Sequence, residues 1–284
     1  FWLNEGFTVY LEQRIMEAVF GEERARMETL IGMQALDEEL PRLSKELRKL
    51  YPDLRGRDPD DNMTAVPYDK GAALLRTIEA AVGRPAFDSF LQGWFADHSF
   101  RSATTAEFLS YLRKHLLTES GVIDLVEWIE GTSIPADAHR PNSQAFEAVD
   151  AQQSAWRAGI PARDLETHGW VTHQWLHFLN HMPDKLESSQ IEELDQTFDL
   201  TRSRNSEILA AWLRLCVRHG HRAADNRLEE FLLEVGRRKF LEPLYREMAK
   251  TPDGRERALS IYSRARPRYH AITQRSLDQT LKSP

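Results

Sequence analysis

Cysteine is nearly missing from this 284-residue sequence, and the single Cys216 excludes an intrachain disulfide and any cysteine-based zinc site. It lies in the apolar run Trp212-Leu213-Arg214-Leu215-Cys216-Val217, where a free thiol serves as a small core residue. No apolar stretch approaches the roughly 20 residues that a membrane-spanning helix needs. A basic excess is missing too. The formal net charge of -7 argues against nucleic acid as a partner, although the local cluster Arg237-Arg238-Lys239 could hold a small anion. Period-2 alternation, the signature of half-buried strands, is almost absent. So are an initiator methionine and a charged leader region: the chain opens on Phe1-Trp2-Leu3, as a fragment opens.

What is present is helical periodicity. Hydrophobic residues make up 41% and charged residues 29%, the balance of a globular protein long enough for two ordinary domains. Val9, Leu11, Ile15 and Val19 with Phe20 place apolar groups on one helical face. A second helix is expected over residues 25–40, ended or kinked by Pro41. Residues 50–62 are rich in Pro, Gly and Asp and read as a long loop, of the kind that often carries function. Helices are expected again at 71–81 and 85–96. Thr104-Thr105-Ala106-Glu107 forms a capping-box signature ahead of a helix over 108–117.

Ile134-Pro135 and Arg140-Pro141 flank a polar stretch that marks a boundary, giving one unit over residues 1–135 and another over 143–284. Beyond it helices alternate with short breaks. Ser189-Gln190-Ile191-Glu192 reads as a capping box, Asn205 or Ser206 as the cap of the helix holding Trp212, and Gly220, Gly236 and Gly254 as punctuation. Successive helical hairpins without a clean repeat suggest a solenoid-like stack.

Chemistry-bearing residues cluster in three places. Asn4-Glu5-Gly6 opens the first helix, where the helix dipole favours a carboxylate, so periodicity alone makes Glu5 an ordinary first-turn residue. Val66-Pro67-Tyr68-Asp69-Lys70-Gly71 follows the long loop, and taken alone Tyr68 is a half-buried loop tyrosine with a structural hydrogen bond. Gly236-Arg237-Arg238-Lys239-Phe240 reads by itself as a solvated basic patch at a helix C-terminus. A fourth constellation, His173, His177 and His181 at i, i+4 and i+8, has chelating spacing. Gln174 stands where a general base would be needed, so a solvated or partly packed face is expected, with adventitious nickel or zinc binding left open. His219 and His221 are closer to background.

The first segment, Trp2-Leu3-Asn4-Glu5-Gly6-Phe7-Thr8, resembles the one that follows His-Glu-x-x-His in zinc aminopeptidases of the gluzincin clan. The second resembles that clan's Pro-Tyr-x-Lys-Gly element. The segments around Trp212 and around Arg237, with Pro243-Leu244-Tyr245, resemble the C-terminal helical domain of the leukotriene hydrolase-type branch. The resemblance implies an all-α chain: the helical C-terminal lobe of a thermolysin-like catalytic domain, followed by a superhelical, solenoid-like domain. It implies that Glu5 is the third zinc ligand beside two histidines, and that Tyr68 donates to the oxyanion formed as water attacks a peptide carbonyl. It also implies that Arg237 and Lys239 hold the substrate carboxylate and that Asp60 lines the substrate pocket, with Phe1 as pocket wall or core.

Met63 stands where leukotriene-converting members carry a tyrosine, which favours peptide over epoxide hydrolysis. His-Glu-x-x-His does not occur in the sequence. The expectation is therefore a metal-free, inactive piece of a zinc aminopeptidase acting on peptides, whose partner is the N-terminal part of the same protein. Its default compartment is the cytoplasm, with a periplasmic or secreted parent left open. The alternatives are a non-catalytic helical-repeat binding module, or a pseudoenzyme that kept the fold and lost the metal site.

Overall fold

The structure is a computed structural model that describes residues 1–56, 64–117 and 123–282. Asp60 and Met63 therefore lie outside the described residues. Every regular element among the described residues is helical, and the chain divides into two compact units, Phe1–Ser143 and Gln144–Pro284.

The first unit is built from α1 (Trp2–Phe20), α2 (Glu22–Glu39), α3 (Gly71–Val82), α4 (Arg84–Asp97), α5 (Thr105–His115) and the short α6 (Leu125–Glu130). Gly21, with φ of 90°, lets α1 turn into α2 with no further linker, in a region of backbone space that side chains avoid. Pro41 sits in a single tight turn, Leu40–Arg42, that ends α2. α3 is the central helix: Ala72, Ala73, Leu74, Leu75 and Ile78 are all fully buried, so it is apolar on nearly every side. Phe108 on α5 is the hub of an aromatic cluster. It meets Trp2, Phe7, Phe90 and Trp94 largely edge-on, with ring centroids 5.2–6.2 Å apart, the arrangement the ring quadrupole prefers. The expected capping box is formed: Thr104 Oγ1 accepts from Glu107 N at 3.2 Å, and Glu107 accepts from Thr104 N at 2.7 Å.

α1 departs from its sequence pattern. The side it buries carries Trp2, Gly6, Phe7 and Tyr10, whereas Ile15, Val19 and Phe20 are 61–65% exposed and Leu11 37%. The regular apolar stripe thus faces outward, because the core is assembled around the irregular aromatic side.

The second unit comprises α7 (Gln144–Arg157), α8 (Thr172–Asn180), α9 (Ser188–Phe198), α10 (Ser206–His219), α11 (Asp225–Glu234), α12 (Arg238–Met248), α13 (Pro252–Ala265) and α14 (Ala271–Lys282). Beside the sequential pairs α7 with α8 and α12 with α13, contacts run between alternate helices: α8 packs on α10, α10 on α12 and α12 on α14, while α11 packs on α13. That is the two-layer stacking of a solenoid. Trp212 is fully buried and donates from Nε1 to Thr201 Oγ1 at 2.9 Å. Asn205 caps α10, its Oδ1 accepting from Glu207 N at 3.0 Å. α9 starts earlier than its expected cap at Ser189. Its first residue is Ser188, and the Gln190 side chain reaches back to accept from Glu187 N at 2.9 Å. Cys216 is buried in this core, and burial pushes its thiol pKa up, which makes it inert.

Of the three spaced histidines, the middle one is taken up by packing. His177 is buried, stacks on Phe146 with centroids 4.1 Å apart, and its Nε2 lies 2.8 Å from Asp150 Oδ1. His181 Nδ1 bonds the His177 carbonyl at 2.8 Å. Burial lowers the His177 pKa, keeping the ring largely neutral near pH 7.

Candidate active-site elements

Glu5 occupies the first turn of α1, with its amide donating to the Phe1 carbonyl at 3.1 Å. Its carboxylate is half-buried and accepts from Asn4 Nδ2 at 3.2 Å, and no lysine or arginine among the described residues pairs with it. Tyr68 lies in a wide turn of π type, Val66–Lys70, that runs directly into α3. Such turns leave part of the backbone ladder open and recur at functional sites. The Tyr68 ring meets Phe1 edge-on at 6.1 Å. Its hydroxyl pKa is pushed up, mainly by burial and then by the negative charge of Glu5, so the phenol stays a hydrogen-bond donor at neutral pH.

Two glycines bring these residues together. α1 and α3 cross backbone to backbone at Gly6 and Gly71, the residues that close the two sequence motifs. A Cβ on Gly6 would lie 2.9 Å from Gly71 Cα, and one on Gly71 would lie 3.0 Å from Gly6 Cα. No side chain could rotate away there, so only glycine at both positions permits this approach. Helices that close carry the residue before Gly6 and the turn before Gly71 into one neighbourhood, which places Glu5 beside Tyr68.

The turn is fixed from beneath by a buried cation. Lys70 is completely buried, and its Nζ donates to the Arg48 carbonyl at 3.0 Å and the Gly131 carbonyl at 2.7 Å. Burial lowers its pKa to about 8. The chain just after Arg48 is held as well, since Leu50 N donates to the Ile129 carbonyl at 3.1 Å. Lys70 is quoted in the sequence motif, but its anchoring role is invisible there. A lysine is normally assigned to the surface, and its acceptors lie 22 and 61 residues away.

Asp69, between Tyr68 and Lys70, is nearly buried, and burial raises its pKa to about 6, opposed in part by Arg76. Below about pH 4 the carboxyl is protonated in both folded and unfolded chains. As pH rises from about 4 to 6 the unfolded chain ionises while the folded one holds its proton, so stability is lost over that window and stays lower above it. Each pH unit of separation is worth about 1.4 kcal/mol. Asp69→Asn should therefore gain a few kcal/mol on the wild type between pH 4 and pH 7, read from urea midpoints at both values. Parallel pH profiles for the two proteins would rule this out.

Arg237 and Lys239 belong to the second unit. They lie at the start of α12, Arg237 as its N-cap residue and Lys239 in its first turn, so the expected helix C-terminus is replaced by an N-terminus. Arg237 is exposed. Lys239 Nζ pairs with Glu207 in the first turn of α10 and sits 4.7 Å over the Phe240 ring. Both cations thus stand on rigid helix ends, with Arg237 open to solvent.

No group of three histidine, cysteine, aspartate or glutamate side chains able to hold a metal occurs among the described residues. Glu5, a carboxylate without a cationic partner, suits one position of a zinc set; the described residues supply no others.

Comparison with known proteins finds matches along both parts of the chain. Residues 1–128 match the model of the peptidase family M1 domain, and residues 170–281 match that of the leukotriene A4 hydrolase C-terminal domain. The chain thus carries a stretch similar to the peptidase family M1 domain, followed by one similar to the leukotriene A4 hydrolase C-terminal domain. It is 30% identical over 96% of its length to leucine aminopeptidase 2 of Ajellomyces capsulatus, covering 46% of that protein. It is likewise 30% identical over 96% of its length to leukotriene A-4 hydrolase of Xenopus laevis, covering 47%. The solved structure of yeast LTA4 hydrolase in complex with bestatin matches the whole chain with a TM-score of 0.82 and 26% identity, over 50% of the yeast chain. The chain therefore spans about half the length of the curated relatives it matches.

Proposed function

We propose that this chain is the part of a zinc aminopeptidase that supplies one metal ligand, the oxyanion donor and the carboxylate-binding residues, and that it hydrolyses peptides only together with the remaining half found in its relatives. The observation that carries this reading is the Gly6–Gly71 crossing, which sets an unpaired carboxylate beside a protonated phenol. An interaction scaffold has no need of that pair.

In the complete enzyme Glu5 would serve as one zinc ligand. A zinc ion held there supplies Lewis acidity toward water and the peptide carbonyl. The chain's own residues do the rest. Tyr68 keeps its proton and donates from its hydroxyl to the oxygen on which negative charge develops, strengthening as that charge grows. Lys70 and the glycine crossing hold that hydroxyl in place, so little reorganisation is needed at the moment of reaction. Arg237 and Lys239 attract the carboxylate at the far end of a short peptide, which favours small substrates with a free C-terminus. The outward stripe of Leu11, Ile15 and Val19 on α1 is a face suited to packing, and it supports the remaining half of the polypeptide as the partner.

An assay tests this directly. The 284-residue chain, supplied with zinc and a fluorogenic amino-acid amide, should release no product. The same chain joined to the catalytic half of a relative should cleave the substrate and lose zinc on Glu5→Ala. Turnover by the chain alone, or full zinc retention in the joined Glu5→Ala variant, would overturn the assignment.

A further inference from the structure

The first unit carries a second polar site that the peptidase reading does not use. A cleft of about 690 Å³ opens between the C-terminal half of α1, the N-terminal half of α2 and the C-terminal half of α3, with residues 139–142 along its rim. Neither Glu5 nor Tyr68 lines it. Five arginines do: Arg14, Arg26, Arg76, Arg84 and Arg140.

Four of the five are already held by carboxylates. Arg14 bonds Asp88 at 2.9 Å, Arg84 bonds Glu17 at 2.5 Å, Arg140 bonds Asp37 at 2.9 Å, and Arg26 pairs with Glu22. Arg76 differs. Its Nη1 donates to the neutral amide oxygen of Gln13, and its Nε is buried without a hydrogen-bond partner among the described residues. Glu79 is close enough to be felt, but its oxygens are taken by Tyr10 at 2.9 Å and Arg84 at 2.5 Å. Asp69 acts on Arg76 only through space. Arg76 thus sits in the wall of an open cleft as a largely buried guanidinium that no carboxylate bonds. Gln13 holds the planar fork in one orientation, so little freedom remains to be lost when an anion meets it. Sequence offers a faint trace of this: Arg76 interrupts the buried run Leu74-Leu75-Arg76-Thr77-Ile78.

We propose that this cleft binds a small oxyanion, a phosphate or carboxylate group, on the Arg76 guanidinium. The four paired arginines shape the walls and offset its carboxylates, while Arg76 is the one guanidinium among the five that no carboxylate bonds, Glu79 being held by Tyr10 and Arg84. The site lies wholly within the first unit and apart from Glu5 and Tyr68, so it can be tested on the chain as it stands.

Isothermal titration of the 284-residue chain with inorganic phosphate, and separately with acetate, measures it, with sodium chloride at matched ionic strength as reference. Saturable one-to-one binding of either anion is expected, and which of the two binds tells the phosphate from the carboxylate source. Arg76→Met should weaken it at least about tenfold, the loss expected when a charge-assisted hydrogen bond is removed. Should Arg76→Met fail to fold, Arg76→Gln keeps a hydrogen-bonding side chain without the charge, and the same loss is expected of it. Three results would overturn the proposal: no saturable binding beyond chloride, unchanged affinity in the Arg76 variant that folds, or loss of binding on Arg237→Gln with Arg76 intact.

Discussion

Gly6→Val should unfold or nearly unfold the first unit while leaving the second intact. Two effects oppose each other at this position. Replacing a mid-helix glycine removes backbone freedom from the unfolded chain, a gain of at most about 1 kcal/mol. Against this, even the first added carbon would stand 2.9 Å from Gly71 Cα and 3.3 Å from Ala72 N. The obstacle is backbone, so it cannot turn aside, and α1 must lift off α3. Overpacking in ordinary cores costs about 1–3 kcal/mol. Separating two helices across the aromatic cluster of Trp2, Phe7 and Phe108 costs more, set against a total stability of roughly 5–15 kcal/mol for a domain. A two-step urea transition should appear, with only the first step moved. Gly236→Ala is the control, since nothing lies within 4 Å of its added carbon. A Gly6→Val midpoint within error of the wild type would refute the crossing as the element that builds the site.

Tyr68→Phe, made in the complete enzyme, should lower kcat by about 100- to 1000-fold with KM nearly unchanged, the size seen when one oxyanion donor is removed. The hydroxyl is the only group lost, and the phenyl ring keeps its edge contact with Phe1. Zinc content should stay the same. Because burial and Glu5 raise the phenol's pKa above its usual value, the donor persists through the neutral range, and its loss should show only on the far alkaline limb. A KM that rises while kcat holds would mean that Tyr68 positions the substrate in its ground state and does no more.

The helices were largely legible in the sequence, and the places where legibility failed have physical causes. Thr104 and Asn205 announce their helices because capping is local chemistry between neighbours. The cap at Ser189 is misplaced because Gln190 competes for the same role by reaching back to Glu187. Periodicity shows that α1 has an apolar stripe, yet it carries no information on whether the chain itself covers that stripe. Glu5 and Tyr68 are legible through resemblance. The reason they meet is not, since glycines that permit a crossing look the same as glycines that end helices. Lys70 and Arg76 were hidden for a common reason: burial of a charge is decided by distant backbone carbonyls and by cleft walls. Asp60 lies outside the described residues.

Lys70 also imposes an order of events on the chain's assembly. An ammonium gives up its hydration only when replacement acceptors are in position, and both of its acceptors are main-chain oxygens contributed by segments far away in sequence. The turn that carries Tyr68 is therefore fully locked only when the Arg48 and Gly131 carbonyls are both in place. The position of Tyr68 thus rests on contacts that close over 22 and 61 residues of sequence, and a chain cut short of Gly131 would lack one of the two acceptors that hold its turn.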